Sequence, residues 1–169
     1  MTLLSALAAI ALWLWPVALT AIAAPMPQVA GAIPGLSQVF AGNPPELGLH
    51  DGQLSPCPDT PNCVVSQGAN EAHAIAPITY TGGRDAARDL LIKVIGVVPR
   101  SEIVAQRDNY IRVKSESRIM GFVDDTEFYF PEGDSVIHVR AAARLGKSDL
   151  GVNRRRLEQI RLALHDLGL

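Results

Sequence analysis

No charged residue precedes Glu46, so the ionic content of this 169-residue chain sits in its last three quarters. Other absences narrow the chemistry. There are two cysteines, and no second cysteine pair or histidine couple stands near them, which makes a poor zinc site. They are not spaced as C-x-x-C, the usual form of a redox-active pair. No G-x-S-x-G and no carboxylate pair at a diagnostic separation marks a nucleophile or a glycosidase-type site. A net charge of −2 and the lack of aromatics interleaved with the basic residues argue against nucleic acid. There is no internal repeat, and the length suits one domain. No cofactor or catalytic residue is implied.

What is present begins with an almost unbroken apolar run, Leu3 to Ala24, ending in Ala21-Ile22-Ala23. Small residues at both recognition positions read as a secretory signal over 1–23, cut after Ala23. The positive n-region is missing, and the run approaches the ~20 residues that cross a bilayer, so an uncleaved anchor is the second reading. Either way the folded part is expected on the far side of a membrane. Cys57 and Cys63 lie in CPDTPNC. In an oxidising compartment they are expected to form a disulfide, with labile thiols and metal ligation as the competing readings.

Residues 24–54 are rich in Pro, Gly, Ala and Gln and hold no period, which predicts an extended tether or a strap lying on the domain. The domain is expected over 55–169. His73–Tyr80 alternates as a strand, with Pro77 marking an edge. Ala87, Leu90, Leu91, Val94, Ile95 and Val98 recur at helical steps, stopped by Gly96 and Pro99. A hairpin follows, 103–106 with 111–114, turning at Asp108-Asn109. A second joins 122–130 to 135–142. The last helix runs to about Asp166 with Leu157, Ile160, Leu164 and Leu167 on its stripe. The order β-α-β-β-β-β-α predicts an α+β fold, an antiparallel sheet of about five strands with both helices on one face.

A four-residue loop at 131–134 would pair Phe130 with Ser135 and fix the second hairpin. Phe128 would then face Ile137, Thr126 would face Val139, Glu127 would face His138 and Asp125 would face Arg140. The last four residues, with Tyr129, form either a solvated charged sheet face or the floor of a polar site, since a carboxylate beside a histidine orients and tunes a general base. Asp124 falls by parity on the apolar face and must be paired or act as a cap.

Between Arg140 and Arg161 stand seven basic residues (Arg140, Arg144, Lys147, Arg154, Arg155, Arg156 and Arg161) against Asp149 and Glu158. If Asn153 caps the last helix, Arg154–Arg156 lie in its first turn, oppose its dipole and want an anion, either a carboxylate such as Asp124 or Asp149 or a bound ligand. If Ser148 is the cap, Asn153 points along the core stripe. The cluster serves either an internal Arg–carboxylate network or an external acidic partner or lipid headgroup.

Cys57-Pro58, Pro61-Asn62-Cys63, Gly121-Phe122-Val123-Asp124-Asp125, Ile137-His138-Val139-Arg140 and Ser148-Asp149-Leu150-Gly151-Val152-Asn153-Arg154-Arg155-Arg156 together resemble the domain of unknown function 1499 family of small bacterial and plastid proteins. The resemblance spans about Leu54 to Leu164. This chain carries Ala141-Ala142-Ala143-Arg144 where Ser-Ala-Ser-Arg occurs in the family. The resemblance implies a periplasmic or thylakoid-lumen address and carries over no catalytic residue. The leading expectation is an exported accessory domain that engages an acidic protein surface of a membrane complex, photosynthetic complexes included. Arg140, Arg144 and Arg154–Arg156 would form the contact region, with Asp149 and Asn153 as further candidate binding residues, and residues 3–24 would provide any membrane association. The alternative is a small-molecule site or enzyme at Asp125, Glu127, His138 and Arg140.

Overall fold

In a computed structural model the chain is described over residues 41–44 and 46–169, so the expected signal or anchor at 1–23 and most of the Pro/Gly-rich segment lie outside the described residues. Strands β1 (Leu49–His50) and β2 (Gln53–Leu54) form a small hairpin. Then come β3 (Cys63–Val65), β4 (Ile78–Thr79), helix α1 (Arg84–Val97), β5 (Ser101–Gln106), β6 (Tyr110–Glu116), β7 (Val123–Tyr129), β8 (Val136–Ala143) and helix α2 (Val152–Asp166). The fold is α+β. Its antiparallel sheet has the order β3-β8-β7-β6-β5, and β4 pairs with β8 alongside β3.

The apolar periods place the core. One sheet face contributes Ile111, Val113, Phe128, Ile137, Val139 and Ala141, and both helices pack on it through Ala87, Leu91, Val94, Ile95, Leu157, Ile160 and Leu164. Each Val, Leu, Ile or Phe side chain among them contributes about 1.5–3 kcal/mol when fully removed from water. Gly96 does not stop α1; the helix closes at Val97, just ahead of Pro99. Leu167 lies off the predicted stripe and is 61% exposed, because α2 has ended at Asp166.

The segment His73–Tyr80 keeps only Ile78 and Thr79 as strand, with an isolated parallel bridge from Ala74 to Val65. Pro77 interrupts the ladder between them, since it has no N–H to offer. The second hairpin is shifted by two residues: Phe128 pairs with Val139, Tyr129 with His138, Glu127 with Arg140 and Asp125 with Ala142. The turn is longer than a four-residue loop. Phe130 donates its N–H to the Asn109 carbonyl of the neighbouring turn, and Ser135 accepts from Tyr80 N–H, so both leave the ladder. A shift of two changes every partner and keeps every face.

The first hairpin turns where expected, with Arg107 N–H bonded to the Tyr110 carbonyl at 2.7 Å. A bulge between Ile103 and Ala105 interrupts its register. The sheet face away from the helices is covered by the strap of residues 46–54 and the loop that follows. Leu54, Val65 and Tyr110 are buried there against Leu49, Cys57, Ala69 and Tyr129. The Cys57–Cys63 disulfide, with Cα atoms 5.6 Å apart, ties the strap's exit to β3.

Candidate functional site

Alternation along β7 and β8 aims Asp125, Glu127, Tyr129, His138 and Arg140 at the strap side of the sheet. Asp125, Glu127 and Arg140 are buried beneath it, Arg140 at 1% exposure. Three donors converge on Glu127: Gly48 N–H at 2.7 Å, the Tyr110 hydroxyl at 2.7 Å and Arg140 Nη1 at 3.1 Å. Asp125 is held bidentately by Arg144, Nε to Oδ2 at 2.6 Å and Nη2 to Oδ1 at 3.0 Å. That hydrogen bond pushes the Arg144 guanidinium above its usual pKa. Burial, reinforced by the Glu127 charge, raises the Tyr110 phenol and keeps it a donor.

His138 stands apart from this network. Its Nδ1 lies 3.2 Å from Ser66 Oγ, and that oxygen also accepts Val139 N–H at 2.9 Å. Desolvation lowers its pKa, partly opposed by Asp134. The ring stacks beside Tyr129 with centroids 6.1 Å apart. The cleft beside the strap is bounded by Leu47–Leu49, Ala105, Arg107, Tyr110 and Arg112, and none of Asp125, Glu127, His138 and Arg140 lines it.

The arginine cluster divides among internal acceptors. Arg156 binds Asp124 Oδ2 at 2.8 Å and Asn153 Oδ1 at 2.9 Å. Arg154 donates to the carbonyls of Ala74 and Ala72, Arg155 to that of Leu150, and Arg161 to those of Pro77 and Ala76. Helix α2 starts at Val152, so neither Asn153 nor Ser148 is its cap. The Asp149 carboxylate instead accepts Gly151 N–H at 2.9 Å and Asn153 N–H at 2.8 Å. A carboxylate there favours the helix dipole and offsets the arginines that follow. Asn153 is buried as the core-stripe reading expects, its amide reaching the Asn62 carbonyl. Asp124, on the apolar face, is paired with Arg156; burial still raises its pKa, partly offset by that guanidinium.

A separate feature lies at the end of the sheet where β6 meets β7 and β8 meets α2. A cavity of about 140 Å³ opens there between Phe122, Ala143, Leu145, Val152, Asp124 and Asp149. Around it Ile119, Met120, Leu145, Leu150 and Val152 are exposed. Periodicity does not find these residues, because turns have none. The signal was Leu150, a large apolar residue inside the polar run Ser148–Arg156. Among the described residues no group of three or more His, Cys, Asp or Glu is placed to hold a metal, and no helix is long and apolar enough to cross a membrane.

Sheet, helices and neutralised polar face define a small α+β domain held together by buried Arg–carboxylate pairs. Residues 53–164 match the family described as protein of unknown function (DUF1499), and the chain belongs to that family. No curated protein and no solved structure matches it.

Proposed function

We propose that the chain is an exported accessory domain that makes contact through its loop end, residues 117–122 and 144–152, with an acidic surface at a membrane. Export rests on the uncharged apolar leader with its Ala21-Ile22-Ala23 site and agrees with the Cys57–Cys63 disulfide. Periplasm or thylakoid lumen is the compartment that suits it. The observation that carries the contact surface is the division of labour among the charges. Arg140, Arg144, Arg154 and Arg156 are engaged inside the domain. Arg118, Lys147 and Arg155 are exposed beside the bare apolar residues of the loop end.

Capture of the tagged full chain from native membranes tests this against an Ile119→Asp/Leu150→Asp variant, whose changes fall on exposed positions. A membrane component held by the parent, lost by the variant and weakened by salt is the expected result. Equal retention by both chains would move the contact elsewhere on the molecule.

A further inference from the structure

We propose that the acidic surface is the lipid bilayer itself: Ile119 and Leu150 enter its interface while Arg118, Lys147 and Arg155 meet anionic headgroups. This rests on the loop end being the contact surface and names what it touches.

The two ends of the sheet are chemically opposite. Strand β6 ends at Glu116 where β7 begins at Val123, and β8 ends at Ala143 opposite Asp124, so the 117–122 turn and the 144–151 loop share one end. The turns at 107–110 and 130–135 share the other and expose Arg107, Asp108, Glu132 and Asp134. None of the exposed large apolar residues lies in those two turns, whereas Ile119, Met120, Leu145, Leu150 and Val152 are all at the loop end.

Leu150 adds a second argument. It is 84% exposed and has φ 54°, directly before Gly151 at φ 76°. A leucine in the left-handed region is strained where glycine or asparagine would not be, and burial gives nothing back in the isolated domain. Arg155 reaches the Leu150 carbonyl at 2.8 Å, which seats a guanidinium directly behind the apolar tip. Within the two loops the one acidic residue, Asp149, is engaged by backbone N–H groups, and the neighbouring Asp124 by Arg156. The exposed charge in the two loops is therefore basic, and it is interleaved with aliphatic side chains, the composition that binds an anionic interface.

The path of the chain agrees. Gly42 lies against Arg144 and Leu145, where an added Cβ would meet Leu145 Cγ at 2.7 Å. Gly42 thus lies against the loop end.

The test uses the full chain in vesicles of phosphatidylcholine with phosphatidylglycerol, doped with a phospholipid carrying a photoreactive acyl chain. After illumination, adducts are expected in 118–122 and 145–152 and not in 107–110 or 130–135. Leu150→Gly with Ile119→Ser should lose the loop adducts while keeping the parent's denaturation midpoint, because both positions are exposed and glycine relieves the left-handed residue. Vesicles of phosphatidylcholine alone should give weaker labelling of the same loops; equal labelling would remove the headgroup contribution. Unlabelled loops beside a labelled leader, or adducts shared evenly by both ends, would overturn the proposal. If the loops are unlabelled but a protein partner is captured by the parent and lost by the variant, the loop end remains a contact surface and lipid is excluded. Neither labelling nor capture would remove both readings.

Discussion

Glu127 shows how this domain keeps a charge inside. With Gly48 N–H, the Tyr110 hydroxyl and Arg140 all donating to it, the carboxylate has partners on the strap, on β6 and on β8. Glu127→Ala strands Arg140, and removing one member of a buried pair costs about 3–5 kcal/mol. Urea denaturation should show that loss, and adding Arg140→Met to the same chain should restore part of it. No recovery in the double variant would mean that the lost strap bond, and not the stranded guanidinium, dominates. His138 gives a pH prediction of definite sign. Burial depresses its folded pKa below the ordinary 6.5, so the unfolded chain binds the proton more readily. Its contribution to stability is present above 6.5 and is lost as pH falls through the folded value. The denaturation midpoint of the parent should therefore drop further on acidification below 6.5 than that of His138→Gln. Parallel pH profiles for the two chains would show that the ring titrates alike in both states.

At the scale of elements, faces were legible in the sequence and partners were not. Alternation placed Phe128, Ile137 and Val139 on the core face and Glu127, His138 and Arg140 on the other, and a slip of two residues leaves that division intact. The slip itself depends on Asn109 and Tyr80 drawing Phe130 and Ser135 out of the ladder, long-range bonds that no local pattern encodes. The strap was one of two readings of its segment, and its partners were not legible. Residues 46–54 have no period and fell within the predicted linker, yet Gly48 N–H reaches a carboxylate 79 residues away. What fixes that segment is a backbone amide, a few apolar side chains and the disulfide. Reducing Cys57–Cys63 should cost about 2 kcal/mol by freeing the short loop in the unfolded chain. Hydrogen exchange with and without reductant is the measurement. The Gly48 amide should exchange faster on reduction while amides in the centre of β7 keep their relative order. Uniform acceleration along both segments would make strap and sheet one cooperative unit.

At the scale of the whole molecule, the basic cluster that dominates the sequence from Arg140 to Arg156 is mostly inward structure. The outward signal lies in turns whose residues gain meaning only once the strands place them at one end. The chain's three lysines sample its sides: Lys93 is exposed on α1, Lys114 is half-buried on β6 beside Glu102, and Lys147 is exposed in the loop after β8. An amine-acylating reagent therefore reports orientation without any mutation. With the full chain in anionic vesicles, Lys147 acylation should fall relative to the chain in detergent, while Lys93 acylation should fall less, because Lys93 lies on α1, outside the two loops. Raising the salt should return Lys147 toward its detergent value, since screening weakens headgroup contact more than it weakens apolar insertion. Equal protection of Lys93 and Lys147 would mean that the domain lies on its side, with the helical face against the lipid. Full reactivity of both would mean that the domain stands clear of the bilayer.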